Sequence, residues 1–367
     1  MGFMSKTAAF MSMASLRNLV SDSIAIDMGS GATIIYVRGR GVVVDEPSLV
    51  AINDISGEVI AVGSEARQMY GREARDVTVV APLLNGVVAD FERTREMLAH
   101  FVREARSGGS FFSRRALMSV YPGVTHVERR ALLTAAEHAR IGRVMMMDEG
   151  LAAAFGAGVK LDDTRASAVV DIGSGTTNVA VVGAGAIIHS RSERIGSADI
   201  NTAIINHVRR HRGLAIGQRS AERLKLELAS ATLPDDLARE ITIRGRDVVT
   251  GSPGAINLTA GEIYPVAQYV VSKIADAVST TLAELSPEVA GDIYERGIIV
   301  TGGGALFNGM AQYLGDQTKL AVQTADEPRY AIVRGLALMF DDPLLLRRAV
   351  RSEAPPLLDE QNEAYSL

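Results

Sequence analysis

Two stretches of the chain repeat one another and carry groups suited to gripping phosphate. From Asp27 the sequence reads D-M-G-S-G-A-T-I-I-Y-V-R-G, and from Asp171 it reads D-I-G-S-G-T-T-N-V-A-V-V-G. The Asp, two early glycines, the Ser between them, Thr33 with Thr177, and Gly39 with Gly183 all match at one offset of 144 residues. Each copy reads as a strand, a Gly-rich turn and a second strand. Glycine lets backbone N–H groups approach a ligand closely. Such N–H groups, with Ser and Thr hydroxyls, form a nest for phosphate oxygens. Two copies face to face would clamp a polyphosphate, with Gly29, Ser30 and Gly31 on one side and Gly173, Ser174, Gly175, Thr176 and Thr177 on the other. Asp27 and Asp171 would then stand beside the same phosphates. Two carboxylates there repel a triphosphate unless a cation intervenes, and Mg²⁺, held through its own waters, meets that need. Unrelated hairpins are the competing reading, because Asp-x-Gly turns are common; the pairing of two copies argues against it.

A third Gly-rich element, Thr301-Gly302-Gly303-Gly304, follows an apolar run at 297–300. A flat group such as adenine could lie against these glycines; on the residues alone a plain strand-to-helix turn is the stronger reading. Asp148-Glu149-Gly150 opens an Ala-rich helix, and on the residues alone Glu149 reads as a first-turn acid favoured by the helix dipole.

The elements around these groups alternate between strand and helix. Residues 23–50 read as strands with a turn at Gly39 to Gly41, the last running as GVVVDEPSLVAI. Helical spacing of apolar residues covers 91–107, 217–228 and about 262–285. Residues 116–121 read as a strand, and Thr125 with Glu128 forms a capping box for a helix reaching Gly142. The strand RVMMM precedes Asp148, and 239–259 reads as short strands. This alternation predicts α/β layers, and 367 residues suffice for two domains with separate cores.

Composition narrows the function. With 47% hydrophobic and 22% charged residues the chain is globular. A net charge of −5 speaks against a broad nucleic-acid footprint. The lack of cysteine excludes disulfides, thiolate metal sites and cysteine nucleophiles. No apolar run reaches the length of about 18 residues that would span a bilayer. Residues 1–21 hold Lys6 and Arg17 but no acid, and Phe3, Met4, Phe10, Met11 and Ala14 share one helical arc. An interfacial amphipathic helix, a short secretory signal, a frayed tail, and an upstream start codon with the true start near Met13 are all open readings.

The segments DMGSGATIIYVRGRGVVVDEPSLVAI, DEGLAAAFGAG, DIGSGTTNVAVV, IGQRSAERLKLEL and ERGIIVTGGGALFNGM follow one another in the order and spacing of the MreB family, and the chain resembles that family from about residue 22 to 350. The resemblance implies an actin-like fold: two duplicated ribonuclease-H-like domains around an interdomain nucleotide cleft, each bearing a smaller subdomain. It assigns 22–50, 85–165 and 340–351 to the first large subdomain and 51–84 to the first small one. It assigns 166–200 and 262–339 to the second large subdomain and 201–261 to the second small one. Residues 1–21 are then a membrane-associating or disordered extension, and 352–367, with Pro355-Pro356 and several acids, a disordered tail.

The resemblance also implies site roles. Gly29 to Gly31 and Gly173 to Thr177 become phosphate loops, and Gly302 to Gly304 the adenosine loop. Glu222 and Lys225 become ribose and adenine contacts, although the residues alone read equally as an exposed charged pair. Glu149 becomes the catalytic glutamate that positions the attacking water, with Thr176 sharing the role. Ser110-Phe111-Phe112-Ser113 matches a hydrophobic membrane-insertion loop, against a competing reading in which Phe111 and Phe112 pack inside. ATP and Mg²⁺ are the implied ligands. Polymerisation into antiparallel paired filaments is implied, on the cytoplasmic face of the inner membrane, with RodZ-like and wall-elongation partners. Cell-shape control and organised peptidoglycan synthesis are the implied roles.

The sequence departs from the family pattern at Ala32, Ser174, Asn178, Gly150 and Asn85, where Asn, Gly, Glu, Pro and Asp are usual. These changes bear on hydrolysis rate more than on nucleotide binding. A small-molecule kinase on the same fold would need a separate general-base Asp, and no candidate stands out. A chaperone-type ATPase would need a peptide-binding domain, for which too little chain follows.

Overall fold

The computed structural model describes residues 23–106, 115–160, 162–340 and 346. The expectations for residues 1–21, for Phe111 and Phe112, and for the tail 352–367 lie outside them.

The first half begins with β1 (Ser23–Met28), β2 (Ala32–Val37) and β3 (Gly41–Pro47). A small sheet follows, of β4 (Val50–Asn53), β5 (Val59–Val62) and β6 (Val77–Val80), with helix α1 (Ser64–Met69) against it. The expected continuous strand through GVVVDEPSLVAI is therefore two strands in two sheets. Pro47 cannot extend a ladder, and Ser48, fully buried, bonds back to Gly29. A short hairpin comes next, β7 (Leu83–Leu84) with β8 (Val87–Val88). Then come α2 (Phe91–Arg106), β9 (Arg115–Val120), α3 (His126–His138), β10 (Arg143–Asp148) and α4 (Glu149–Gly156). The capping box is present: Thr125 Oγ1 accepts from Glu128 N, and Glu128 Oε2 accepts from Thr125 N. Helix α3 stops short of Gly142 because Arg140 turns left-handed (φ 58°) and Ile141 drops into the core.

The second half repeats the plan. It contains β11 (Ser167–Ile172), β12 (Thr177–Gly183), β13 (Ala186–Glu193), α5 (Ser197–Arg212), β14 (Leu214–Ala215) and α6 (Gln218–Leu228). It continues through β15 (Glu240–Asp247), β16 (Pro253–Thr259), α7 (Ala260–Ala283), α8 (Pro287–Arg296) and β17 (Ile298–Thr301). It closes with α9 (Met310–Thr318), β18 (Val322–Thr324) and α10 (Ala331–Leu338).

The two large sheets have the same topology. Their orders are β3-β2-β1-β9-β10 and β13-β12-β11-β17-β18. In each, the repeat forms an antiparallel hairpin whose first strand pairs in parallel with a later strand. The register repeats as well: Asp27 pairs with Ile34, and Asp171 with Asn178. Side chains alternate across β1, so Ile24 and Ile26 face a core formed with α2 and α3, while Ala25 faces the other way. Ala25 joins Leu117 and Met147, helices α4 and α10, and Val169, Ala180 and Val182 of the second sheet. Helices α4 and α10 are thus sandwiched between the sheets. They cross at glycines: a Cβ on Gly156 would lie 1.7 Å from Ala331 O, and one on Gly335 1.8 Å from Ala152 O. Helices α5, α6 and α7 cover the far face of the second sheet. Both faces of each sheet are buried, which accounts for the unbroken apolar runs in β1, β11 and β12.

Candidate nucleotide site

The two Gly-rich turns close in the same way. Gly29 N donates to Ala32 O over 3.0 Å, and Gly173 N donates to Thr176 O over 2.8 Å. Each turn is anchored from behind. Ser48 Oγ donates to Gly29 O (2.7 Å), while Ser197 N and Ala198 N donate to Gly173 O and Ser174 O. The turns meet across the gap between the halves, where a Cβ on Gly31 would fall 2.6 Å from Ser174 Cβ. Glycine is required there by close approach alone.

A third loop locks into both turns. Asn85 and Gly86 form the tip of the β7–β8 hairpin, with φ of 49° and 80°. That is the left-handed pair demanded by a two-residue turn. Gly86 N donates to Ser30 Oγ (3.0 Å), and Asn85 Oδ1 would lie 2.7 Å from a Cβ on Gly175. Sequence reading noted Asn85 only as a departure from the family. The Asn-Gly pair between Leu-Leu and Val-Val was the signal for this hairpin.

The acids converge behind the turns. Asp27 and Asp171 are buried at the ends of the paired central strands. Ser119 Oγ donates to Asp27 Oδ1 (2.7 Å), and Thr301 Oγ1 donates to Asp171 Oδ1 (3.0 Å). Desolvation pushes Asp27 up to about 6, against the lowering bond from Ser119. Desolvation and then the charge of Asp27 push Asp171 up to about 7. Glu149 sits at the start of α4, which Asp148 caps through Gly150 N and Leu151 N. Desolvation, then the charges of Asp27, Asp171 and Asp148, hold Glu149 well above the usual carboxylate range. Asn178 Nδ2 donates to Glu149 Oε2 (2.9 Å).

These three carboxylates suit a hard divalent cation, because positive charge would offset the desolvation that raises all three pKa values and the repulsion that adds to it at Asp171 and Glu149. Among the described residues no three His, Asp or Glu converge closely enough to hold an ion directly. A cation that keeps its water shell would need no such cluster, only carboxylates to hold its waters.

The third Gly-rich element lies on the end of β11. Gly302 is left-handed (φ 80°) and donates to Pro328 O (2.9 Å); a Cβ there would sit 2.4 Å from Ile172 O. A Cβ on Gly304 would meet Ile172 Cγ2 at 2.3 Å, whereas Gly303 has nothing within 4 Å. Gly302 and Gly304 thus let the loop lie flat on the strand, and Gly303 borders open space. Thr176 Cγ2 stands 3.2 Å from a Cβ position on Gly86, between the second turn and the hairpin tip.

Helix α6 flanks the cleft. Lys225 Nζ donates to Ser197 O (3.4 Å), and desolvation lowers its pKa, so it is no freely exposed charge. Glu222 reaches across the cleft mouth to Arg67 of α1 at 2.8 Å. A cavity of about 580 Å³ lies there, lined by Ser64, Arg67, Gln68, Arg219, Glu222 and Arg223 among others. The structure therefore gathers Gly29 to Gly31, Gly173 to Thr177, Gly302 to Gly304, Asp27, Asp171 and Glu149 around one cleft, with Glu222 and Lys225 on its flank. Ser119, Gly86, Arg67 and Ser192, which bonds Asn178, are the neighbours that sequence reading missed.

Twin α/β halves of one topology, facing each other across a cleft, define an actin-like fold. The structure resembles the crystal structure of MreB5 of Spiroplasma citri bound to ADP, with a TM-score of 0.83 and 33% identity, covering 89% of this chain and 98% of that one. It also matches the MamK double helical filament, with a TM-score of 0.73 over 88% of this chain and 99% of that one; at 19% identity this supports the fold alone. A model of the MreB/Mbl protein family matches residues 21–347, and the chain belongs to this family of cell shape-determining, actin-like proteins. It is 42% identical to the cell shape-determining protein MreB of Escherichia coli (strain K12) over 325 residues, covering 87% of this chain and 93% of the relative. It is 39% identical to the cell shape-determining protein Mbl of Bacillus subtilis (strain 168), covering 87% and 96%. Among the described residues no helix is long and apolar enough to cross a membrane.

Proposed function

We propose that the cleft binds ATP with Mg²⁺ and hydrolyses it, and that the chain polymerises into membrane-associated filaments that organise cell shape and peptidoglycan synthesis. The observation carrying this reading is the convergence of two mirrored Gly-rich turns on Asp27, Asp171 and Glu149. The relative crystallised with ADP, and a second MreB5 structure bound to AMPPNP, support the nucleotide.

Backbone N–H groups of Gly29 to Gly31 and Gly173 to Thr177 would receive phosphate oxygens from two sides. The flat face of Gly302 to Gly304 would take the adenosine, with Glu222 and Lys225 at ribose and base. Mg²⁺ bound with the nucleotide would supply positive charge to the phosphate oxygens, its waters held by Asp27 and Asp171. Glu149, with Thr176, would orient a water for in-line attack, acting chiefly by positioning. Desolvation, then the charges of Asp27, Asp171 and Asp148, raise its pKa, which makes it a stronger base than an exposed glutamate.

Filament formation follows from the coupling of the halves. Closure around a ligand would move both sheets through α4 and α10, which pack against each of them, so that outer surfaces feel the cleft. The subdomain boundaries of the sequence reading, antiparallel pairing, RodZ-like and wall-elongation partners, and attachment to inner-membrane lipid through Phe111, Phe112 and residues 1–21 complete the proposal.

Phosphate release on Mg-ATP, compared with a Glu149→Ala control, tests the catalytic half: no excess over the control leaves a nucleotide-gated polymer without hydrolysis. Electron microscopy with ATP and liposomes tests the other half. Filaments on lipid are expected. Unchanged liposome pelleting in a Phe111→Ala, Phe112→Ala variant lacking residues 1–13 would remove the membrane sites named here.

A further inference from the structure

Asn178 is 1% exposed, on β12, and its amide is engaged at both ends. Nδ2 donates to Glu149 Oε2 (2.9 Å), while Oδ1 accepts from Ser192 Oγ (2.5 Å), Ser192 being its cross-strand partner on β13. The chain brings Glu149 within reach by an unusual closeness of α4 to β12. A Cβ on Gly150 would lie 2.6 Å from Ala180 Cβ, and Ala180 shares the face of β12 that carries Asn178. Gly150 therefore lets the helix start settle onto the strand beside Asn178. The two departures at positions 150 and 178 are parts of one arrangement.

The orientation of the amide follows from chemistry. In the ionised state that water activation requires, Glu149 can only accept, so a reversed amide would set Oδ1 against it, two acceptors with no proton between them. Ser192 can give its hydroxyl hydrogen to Oδ1, and this leaves Nδ2 pointing at Glu149. A glutamate side chain has three rotatable bonds, so one fixed donor on a buried strand removes much of its freedom.

We propose that Asn178, oriented by Ser192, is a positioning residue that holds the Glu149 carboxylate in one rotamer for water activation in this cleft. The inference rests on the ATPase reading above. Asn178 acts through Glu149 alone, so its loss lowers turnover without altering nucleotide affinity.

The experiment is single-turnover phosphate release from Mg-ATP, with the Kd for a fluorescent ADP analogue measured in parallel. The proteins are wild type, N178A, N178D, S192A, E149A and the double variant E149A/N178A. Asn178→Ala is expected to slow the chemical step by about tenfold or more, the usual scale for a bond to a charged group, with Kd within about twofold. Asn178→Asp, equal in size but lacking the donor, is expected to be at least as slow. Ser192→Ala is expected to lose several-fold. In the E149A background, Asn178→Ala is expected to cost nothing further. An unchanged rate in N178A, or an equal loss with and without Glu149, overturns the positioning role. Wild type no faster than E149A overturns the ATPase reading itself, a result distinct from the first two. Should N178A not fold, S192A decides: slower release at unchanged Kd supports the relay, and an unchanged rate overturns it.

Discussion

Arg67 of α1 and Glu222 of α6 meet 2.8 Å apart across the mouth of the cleft, one from each half. Their side chains are 52% and 37% exposed, so the pair contributes on the order of 1 kcal/mol or less and is screened by salt. Such a contact biases closure without fixing it. Glu222 is also the proposed ribose contact, so pairing with Arg67 and contacting sugar compete for one carboxylate.

Removing the latch should loosen the cleft. Arg67→Ala is expected to speed release of a bound ADP analogue by about two- to fivefold, within the energy of an exposed ion pair. Stopped-flow fluorescence reads the rate. The difference from wild type should shrink in 0.5 M salt, where the Debye length is roughly 4 Å against about 10 Å at 0.1 M, and the swapped pair Arg67→Glu with Glu222→Arg should recover part of it.

Glu149→Ala should separate binding from chemistry. Phosphate release is expected to fall by about a hundredfold or more, as for loss of a positioned acid–base group. Calorimetric affinity for AMPPNP should change little.

The carboxylate cluster predicts an inverted pH profile for the nucleotide-free protein. Asp27 (about 6), Asp171 (about 7) and Glu149 all have folded pKa values above their usual ones. Their unfolded forms release protons more readily. Stability is therefore fully present below the ordinary carboxylate range and is lost as pH rises through 6 to 7. Thermal melts without ligand should fall in Tm between pH 5 and 8, and Mg-nucleotide should flatten the slope. Asp171→Asn should raise the apo Tm at pH 8 more than at pH 5, and should lessen the gain from Mg²⁺.

The crossing of α4 and α10 tolerates no side chain. Gly156→Ala and Gly335→Ala would each drive a Cβ into a backbone carbonyl, at 1.7 and 1.8 Å. Each is expected to cost about 3 kcal/mol or more in urea unfolding, as overpacking does at its upper end. Gly291, exposed on α8 with nothing within 4 Å, is the control. Gly291→Ala should instead stabilise by about 0.5–1 kcal/mol through helix propensity.

Much of the cleft was legible because duplication wrote it twice. The match of Asp27 through Gly39 with Asp171 through Gly183 marked the two Gly-rich turns, and the register of both hairpins repeats it residue for residue. Long amphipathic segments such as α2 and α7 were legible from period alone, within two residues at each end. Pairing across distant elements was not legible. Nothing local tells that Ser119 serves Asp27, that Arg67 reaches Glu222, or that Ser192 turns Asn178 toward Glu149; these depend on how strands far apart in the chain become neighbours. Pattern alone also ran β3 and β4 together, because an apolar run does not announce which sheet each part joins.

Helix α10 lies on the face of the first sheet that Ala25 and Leu117 present, yet it is among the last segments to be made. At ribosomal speeds of about 5–20 residues per second, β1 emerges tens of seconds before the helix that covers it. A nascent chain thus presents that side of β1 without α10 for most of its synthesis. Placing the 331–338 segment ahead of β1 by circular permutation would close that interval, and such a variant should yield more soluble protein at high expression temperature.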